Sequence, residues 1–144
     1  MAYSDLTTLQ QRMPEQVIID LTDDQHTGLV NEDPVDRAIA DADTEIDSYL
    51  AGRYPVPVDP ASALLQRLSL DLSVEILYGR RPDLDMPEAV KTAAKNARAL
   101  LARIAAKDAH LPGVAEADTS GTSSSGAMFI GNERLFTRDS LKGM

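Results

Sequence analysis

The sequence predicts an all-α protein: a small bundle of about four to five helices around a central buried helix, with an extended C-terminal arm. Three observations predict it. Residues 60–79, PASALLQRLSLDLSVEILYG, place Leu64, Leu65, Leu68, Leu72 and Ile76 on one helical face and Leu70, Val74 and Leu77 on a second, so a helix here must be covered on at least two sides. Longer stretches before and after it carry one apolar stripe each, the pattern of helices wetted on one side. After residue 110 the periodicity stops, and Gly, Ser and Thr dominate before bulky residues return. Burying each large aliphatic side chain contributes roughly 1.5–3 kcal/mol, which makes the central helix the main source of core.

Composition narrows the class. With 144 residues, 43% of them hydrophobic, the chain has material for one compact core and an extension. There is no cysteine, which excludes disulfides, thiolate catalysis and zinc–thiolate sites. No window approaches the run of about 18 apolar residues that spans a bilayer, and MAYSDLTTLQ lacks the layout of a signal peptide. A soluble protein that stays where it is made is expected, with no membrane partner. The net charge of −9 is uneven: residues 1–59 hold 13 acidic and 3 basic side chains, residues 60–109 hold 6 and 8, and residues 110–144 hold 4 and 3. An acidic first half argues against gripping a phosphate backbone, which takes clustered Lys and Arg.

In chain order, Ser4 and Asp5 cap a short helix with Leu6, Leu9 and Met13 at helical spacing, ending before Pro14. A second short helix starts at Pro14 and buries Val17, Ile18 and Leu21. The turn TDDQHTGLVNEDP, residues 22–34, resembles a calcium loop in Asp23, Asp24 and Gly28, but that register puts Pro34 where a bidentate carboxylate must stand. A polar turn is expected instead, with His26 in solvent. A helix capped by Asp33 or Asn31 then runs from Pro34 to Gly52, with Val35, Ala38, Ile39, Ala42, Ile46, Tyr49 and Leu50 inward and Asp36, Asp41, Asp43, Glu45 and Asp47 as its acidic face. Prolines 55, 57 and 60 impose an extended strap in which Tyr54, Val56 and Val58 lie along the bundle. Arg80 and Arg81 follow the central helix, where cations meet its negative end. The last helix, residues 87–109, turns Val90, Ala93, Ala94, Ala97, Leu100, Leu101 and Ile104 inward and carries Lys91, Lys95, Arg98, Arg103 and Lys107 as a basic face. An acidic helix and a basic one in the same chain predict pairing, within the subunit or between copies.

Domain organisation follows as a helical domain over residues 1–110, a Gly/Ser/Thr-rich linker over 111–127 and an interaction arm over 128–144. Spacer followed by sticky end is a tether, and its 34 residues extend to about 100 Å at about 3.3 Å each. No nucleophile elbow, phosphate-cradling loop or His–carboxylate metal set appears, and His26 and His110 stand apart in loops. An enzyme is not expected, nor a metal or other cofactor.

The residues alone describe an acidic helical domain with a tether, which also suits an interaction module or a DNA-mimic inhibitor; a mimic has little use for a spacer with apolar anchors. The opening MAYSDLTTLQQRM, the turn TDD, the helix and strap IADADTEIDSYLAGRYPVPV, the core SLDLSVEILYGRRP and the ending RLFTRDSLKGM, in that order, resemble the small head–tail adaptor proteins of Mu-like tailed bacteriophages. The resemblance implies a helical virion subunit, made in the bacterial host cytoplasm and repeated twelve times in a ring in the neck. The ring joins the portal protein to a downstream tail or stopper protein, and DNA passes through it without sequence-specific binding. It also implies an arm that reaches into the portal, with Phe129, Ile130, Leu135, Phe136 and Leu141 as apolar anchors and Arg134, Arg138 and Lys142 as polar fasteners. Twelve copies carry roughly −108 charges, so an acidic lumen would repel DNA and let it slide. The acidic helix is then the channel or rim face, and the basic helix meets a neighbouring subunit.

Overall fold

The computed structural model describes residues 2–117. Five helices follow one another: α1 (Leu6–Arg12), α2 (Glu15–Thr22), α3 (Glu32–Leu50), α4 (Ala63–Arg80) and α5 (Glu88–Ala105). There is no strand among the described residues, so the all-α expectation holds. Helix α4 packs on α3, α5 and α2, while α3 also touches α5 and the two short helices. No helix among the described residues is long and apolar enough to cross a membrane.

The two apolar faces of α4 explain its central place. Leu65, Leu68 and Leu72 join Ala42, Ile46 and Leu50 of α3 and Ala94, Ala97, Leu101 and Ile104 of α5 in one buried cluster. Leu70, Val74 and Leu77 join Leu9, Ile18 and Leu21 of the short helices and Val35, Ala38 and Ile39 of α3 in a second. Ile76 packs against both. The short helices therefore exist by docking, since a helix of seven or eight residues is marginal alone.

Helix ends differ from the sequence expectation where a side chain outbids a proline or glycine. Helix α4 begins at Ala63 because the Ser62 hydroxyl accepts the Leu65 N–H at 3.3 Å; Pro60 belongs to the strap. Gly79 lies inside its last turn, with Arg81 as the C-cap. Helix α3 is capped by Asn31, which accepts the Asp33 N–H at 3.2 Å, and ends at Leu50. Asp5, not Ser4, caps α1, exchanging hydrogen bonds with Thr8 in a capping box. In the strap Tyr54 and Val58 are buried as expected, whereas Val56 faces solvent. The packed unit continues past residue 110, because Leu111 is buried and the Ala117 N–H donates to the Arg53 carbonyl at 2.9 Å.

Candidate functional site

The acidic residues of α3 do not form a single outward face. At 100° per residue, Asp36, Asp43 and Asp47 share one edge of the helix, and Asp41 and Glu45 the opposite one. The first edge turns toward residues 2–5 and Pro57 across an open cleft of about 450 Å³. Asp43 is buried, accepting the Tyr3 N–H at 2.8 Å and the Ser69 hydroxyl at 2.6 Å. With its proton committed to Asp43, Ser69 must accept from Ser4, whose hydroxyl is 2.8 Å away. Asp47 accepts the Tyr3 hydroxyl, which in turn accepts the Val58 N–H at 2.9 Å. Burial raises the Asp43 carboxyl above its ordinary range, partly offset by the bonds from Ser69 and Tyr3. Burial, then the bond to Asp47, pushes the Tyr3 phenol up.

On the opposite edge Glu45 accepts Arg98 of α5 at 2.6 Å, and the same guanidinium reaches Glu75 of α4 at 2.7 Å. These two carboxylates, Glu45 first, hold the Arg98 charge more firmly than in water. Asp36 and Asp41 remain exposed. Three of the five acidic candidates, Asp43, Glu45 and Asp47, are thus committed to contacts inside the subunit, and the expectation of one free acidic face is corrected.

The basic candidates divide likewise. Arg98 staples α5 to α3 and α4, and Lys91 pairs with Glu88 one turn away at 2.7 Å. Lys95, Arg103 and Lys107 are exposed and form no ion pair among the described residues. Pairing of the acidic and basic helices therefore occurs within the subunit through Arg98, and three cations are left on the outer surface. Arg80 does not act only at the end of its own helix: it donates to the Leu21 carbonyl at the end of α2 and pairs with Asp24. The Asp23 carboxylate organises the next turn by accepting the Thr27 and Gly28 N–H groups, and these bonds lower its pKa. Among the described residues no group of three or more His, Asp or Glu side chains is arranged to hold a metal ion.

Sequence reasoning missed Arg53. Its side chain is 4% exposed and lies 5.2 Å over the Tyr54 ring. One terminal nitrogen donates to the Ile104 and Ala109 carbonyls at 2.7 and 2.6 Å. The other meets Glu116 at 2.5 Å and His110 Nδ1 at 2.6 Å. Nδ1 must accept there, which puts the neutral ring's proton on Nε2. The Tyr54 hydroxyl accepts the Leu111 N–H at 3.2 Å. Arg53 lowers the Glu116 pKa, and Glu116 raises that of Arg53. The arm residues Phe129, Ile130, Arg134, Leu135, Phe136, Arg138, Leu141 and Lys142 lie outside the described residues, as does the TSGTSSSG spacer.

A search of curated proteins finds no match. The family model described as bacteriophage Mu, Gp36 matches residues 3–130. That range includes Tyr3, Tyr54 and the strap but stops before the RLFTRDSLKGM ending. The chain belongs to the bacteriophage Mu Gp36 family, and is a Mu-like phage protein of structure or morphogenesis.

Proposed function

We propose that the chain is a head–tail adaptor: one of twelve subunits of a ring in the virion neck, bound to the portal above and to a tail or stopper protein below. Membership of a Mu phage family is the observation that carries this reading. The outer surface of α3 lines the DNA channel, with the exposed carboxylates of Asp36 and Asp41 at its two edges, and like charge keeps passing DNA from sticking. Lys95, Arg103 and Lys107 face an acidic surface of the next copy. A contact between two different faces of identical subunits closes into a ring when its rotation permits. The arm, residues 128–144, enters the portal on its apolar anchors. This role is structural rather than enzymatic and calls for no cofactor.

Native mass measurement of the purified protein alone and mixed with portal tests the assignment. A complex with one copy of the chain per portal subunit is expected; no complex at micromolar concentration would overturn it. For the channel face, Asp36→Asn with Asp41→Asn should slow DNA ejection from assembled virions, and unchanged ejection would remove these residues from the lumen.

A further inference from the structure

We propose that Leu29, in the turn between α2 and α3, is a knob that seats in a groove between α1, α4 and α5 of a second copy of the chain. The proposal deepens the ring reading and rests on it, naming the contact by which neighbouring copies meet. Among the described residues Leu29 and Val56 are the large apolar side chains left exposed, and Leu29 is the more so, at 70%. A single exposed leucine is ordinary; this one stands on a rigid turn. Asp23 accepts the Thr27 and Gly28 N–H groups at 2.9 and 2.7 Å, and the Thr22 hydroxyl accepts the Asn31 N–H at 3.2 Å. Val30 packs against the second buried cluster. Leu29 is therefore held outward between two fixed neighbours, and seating it costs little further ordering.

The groove is the complement of that knob. Helix α1 packs chiefly on α3, and α5 on α4, which leaves a seam between them. The seam is lined by Met13 after α1, Val74 of α4 and Ala89, Val90 and Ala93 of α5. Its volume of about 210 Å³ exceeds the roughly 150 Å³ that takes up a benzene molecule. Arg12 and Asp71 also line it, but the buried Asp71 carboxylate is matched by Arg12 and, at 3.8 Å, by Arg67. Nothing in the groove calls for a polar occupant.

Charge selects a second copy as that occupant. From Pro14 to Asp36 the chain carries seven carboxylates and no Lys or Arg, and Glu32 and Asp33, close to the knob in sequence, are exposed. Around the groove the exposed side chains of Arg12, Arg67 and Lys91 supply cations. An acidic turn bearing an apolar knob thus meets a basic rim around an apolar groove, which steers the approach and fixes its register. The turn and the groove share no residue. The contact therefore joins two different faces of identical subunits, the type that closes into rings.

The test places one cysteine on each face of a chain that has none of its own: Gln25→Cys on the turn of one variant, Ala89→Cys at the groove of another. The two are mixed in equal amounts at about 1 mM, which populates even a weak contact, and treated with a short bis-maleimide. The mixed dimer should form in excess of both homodimers. Adding Leu29→Asp to the Gln25→Cys copy should leave its melting temperature unchanged, because the side chain is exposed, and weaken the association about tenfold or more. A mixed dimer no more abundant than the homodimers, or absent, or indifferent to Leu29→Asp, would overturn the contact. So would linking of the Ala89→Cys copy to added portal and not to a second copy. Failure of the ring reading would look different: the mixed dimer would form, while the parent chain and purified portal gave no complex.

Discussion

The two ends of the folded unit are fastened by one device built with opposite charges. At the N-terminal end a buried carboxylate, Asp43, gathers Tyr3 and Ser69, and a tyrosine hydroxyl, that of Tyr3, receives a strap N–H from Val58. At the C-terminal end a buried guanidinium, Arg53, gathers the residues after α5, and the Tyr54 hydroxyl receives the Leu111 N–H. The carboxylate gains and loses a proton in acid, while the guanidinium stays charged throughout. The N-terminal partners are all inside the bundle, whereas Glu116 is 45% exposed. The first anchor has its partners in the core; the second is a joint whose guanidinium is buried and whose carboxylate is partly solvated.

The comparison breaks most visibly at the joint. Arg53→Met should lower the unfolding temperature more than substitution of Asp43 or Arg98 and abolish amide protection at Leu111 and Ala117, because two carbonyls and a carboxylate lose their donors together. Retained protection in hydrogen exchange would show that Tyr54 and Leu111 suffice. At the other end Asp43→Ala should cost about 1–3 kcal/mol in denaturant titration, since it strands a buried N–H and hydroxyl. Asp43→Asn should cost less than about 1 kcal/mol: its carbonyl still accepts from Tyr3, its amide donates to Ser69, and Ser69 donates to Ser4. Equal losses in the two variants would show that packing, not hydrogen bonding, holds Asp43.

Acid should move the two anchors in opposite directions. Asp43 has a folded pKa raised above its ordinary 3.8, so its contribution is full below that value and lost as pH rises through the folded pKa. Glu116 has a folded pKa lowered below its ordinary 4.5, so its contribution is present above that value and lost as pH falls through the folded pKa. Amide protection followed by NMR should therefore weaken around Leu111 to Ala117 on acidification while that of Tyr3 holds. Parallel loss at both ends would mean global unfolding and no local joint. The smallest effect belongs to the Arg98 staple, about 0.2–1 kcal/mol on Arg98→Ala in thermal melts, because its pairs with Glu45 and Glu75 are partly solvated. A loss well above that range would make it a third anchor.

How far the sequence reveals these features depends on whether periodicity carries them. The division of α4 into two faces was legible, since Leu65, Leu68 and Leu72 against Leu70, Val74 and Leu77 is a statement about turns of one helix. The acidic residues of α3 look like one face only at coarse spacing; the same 100° arithmetic separates Asp36, Asp43 and Asp47 from Asp41 and Glu45. Helix boundaries shifted because Ser62 and Asn31 side chains decide them, while Pro60 and Gly79 drew attention. Arg53 had no periodic signal, because its partners lie 51 to 63 residues away. Its one local clue is a lone cation between a helix end and a proline strap.

The proposal that residues 128–144 bind the portal is tested most directly by ending the chain at residue 127 and titrating it against purified portal. The truncated protein should keep the helical content and melting temperature of the parent and show no portal binding. Portal binding as strong as the parent's, by a chain without Phe129, Ile130, Leu135, Phe136 and Leu141, would contradict it.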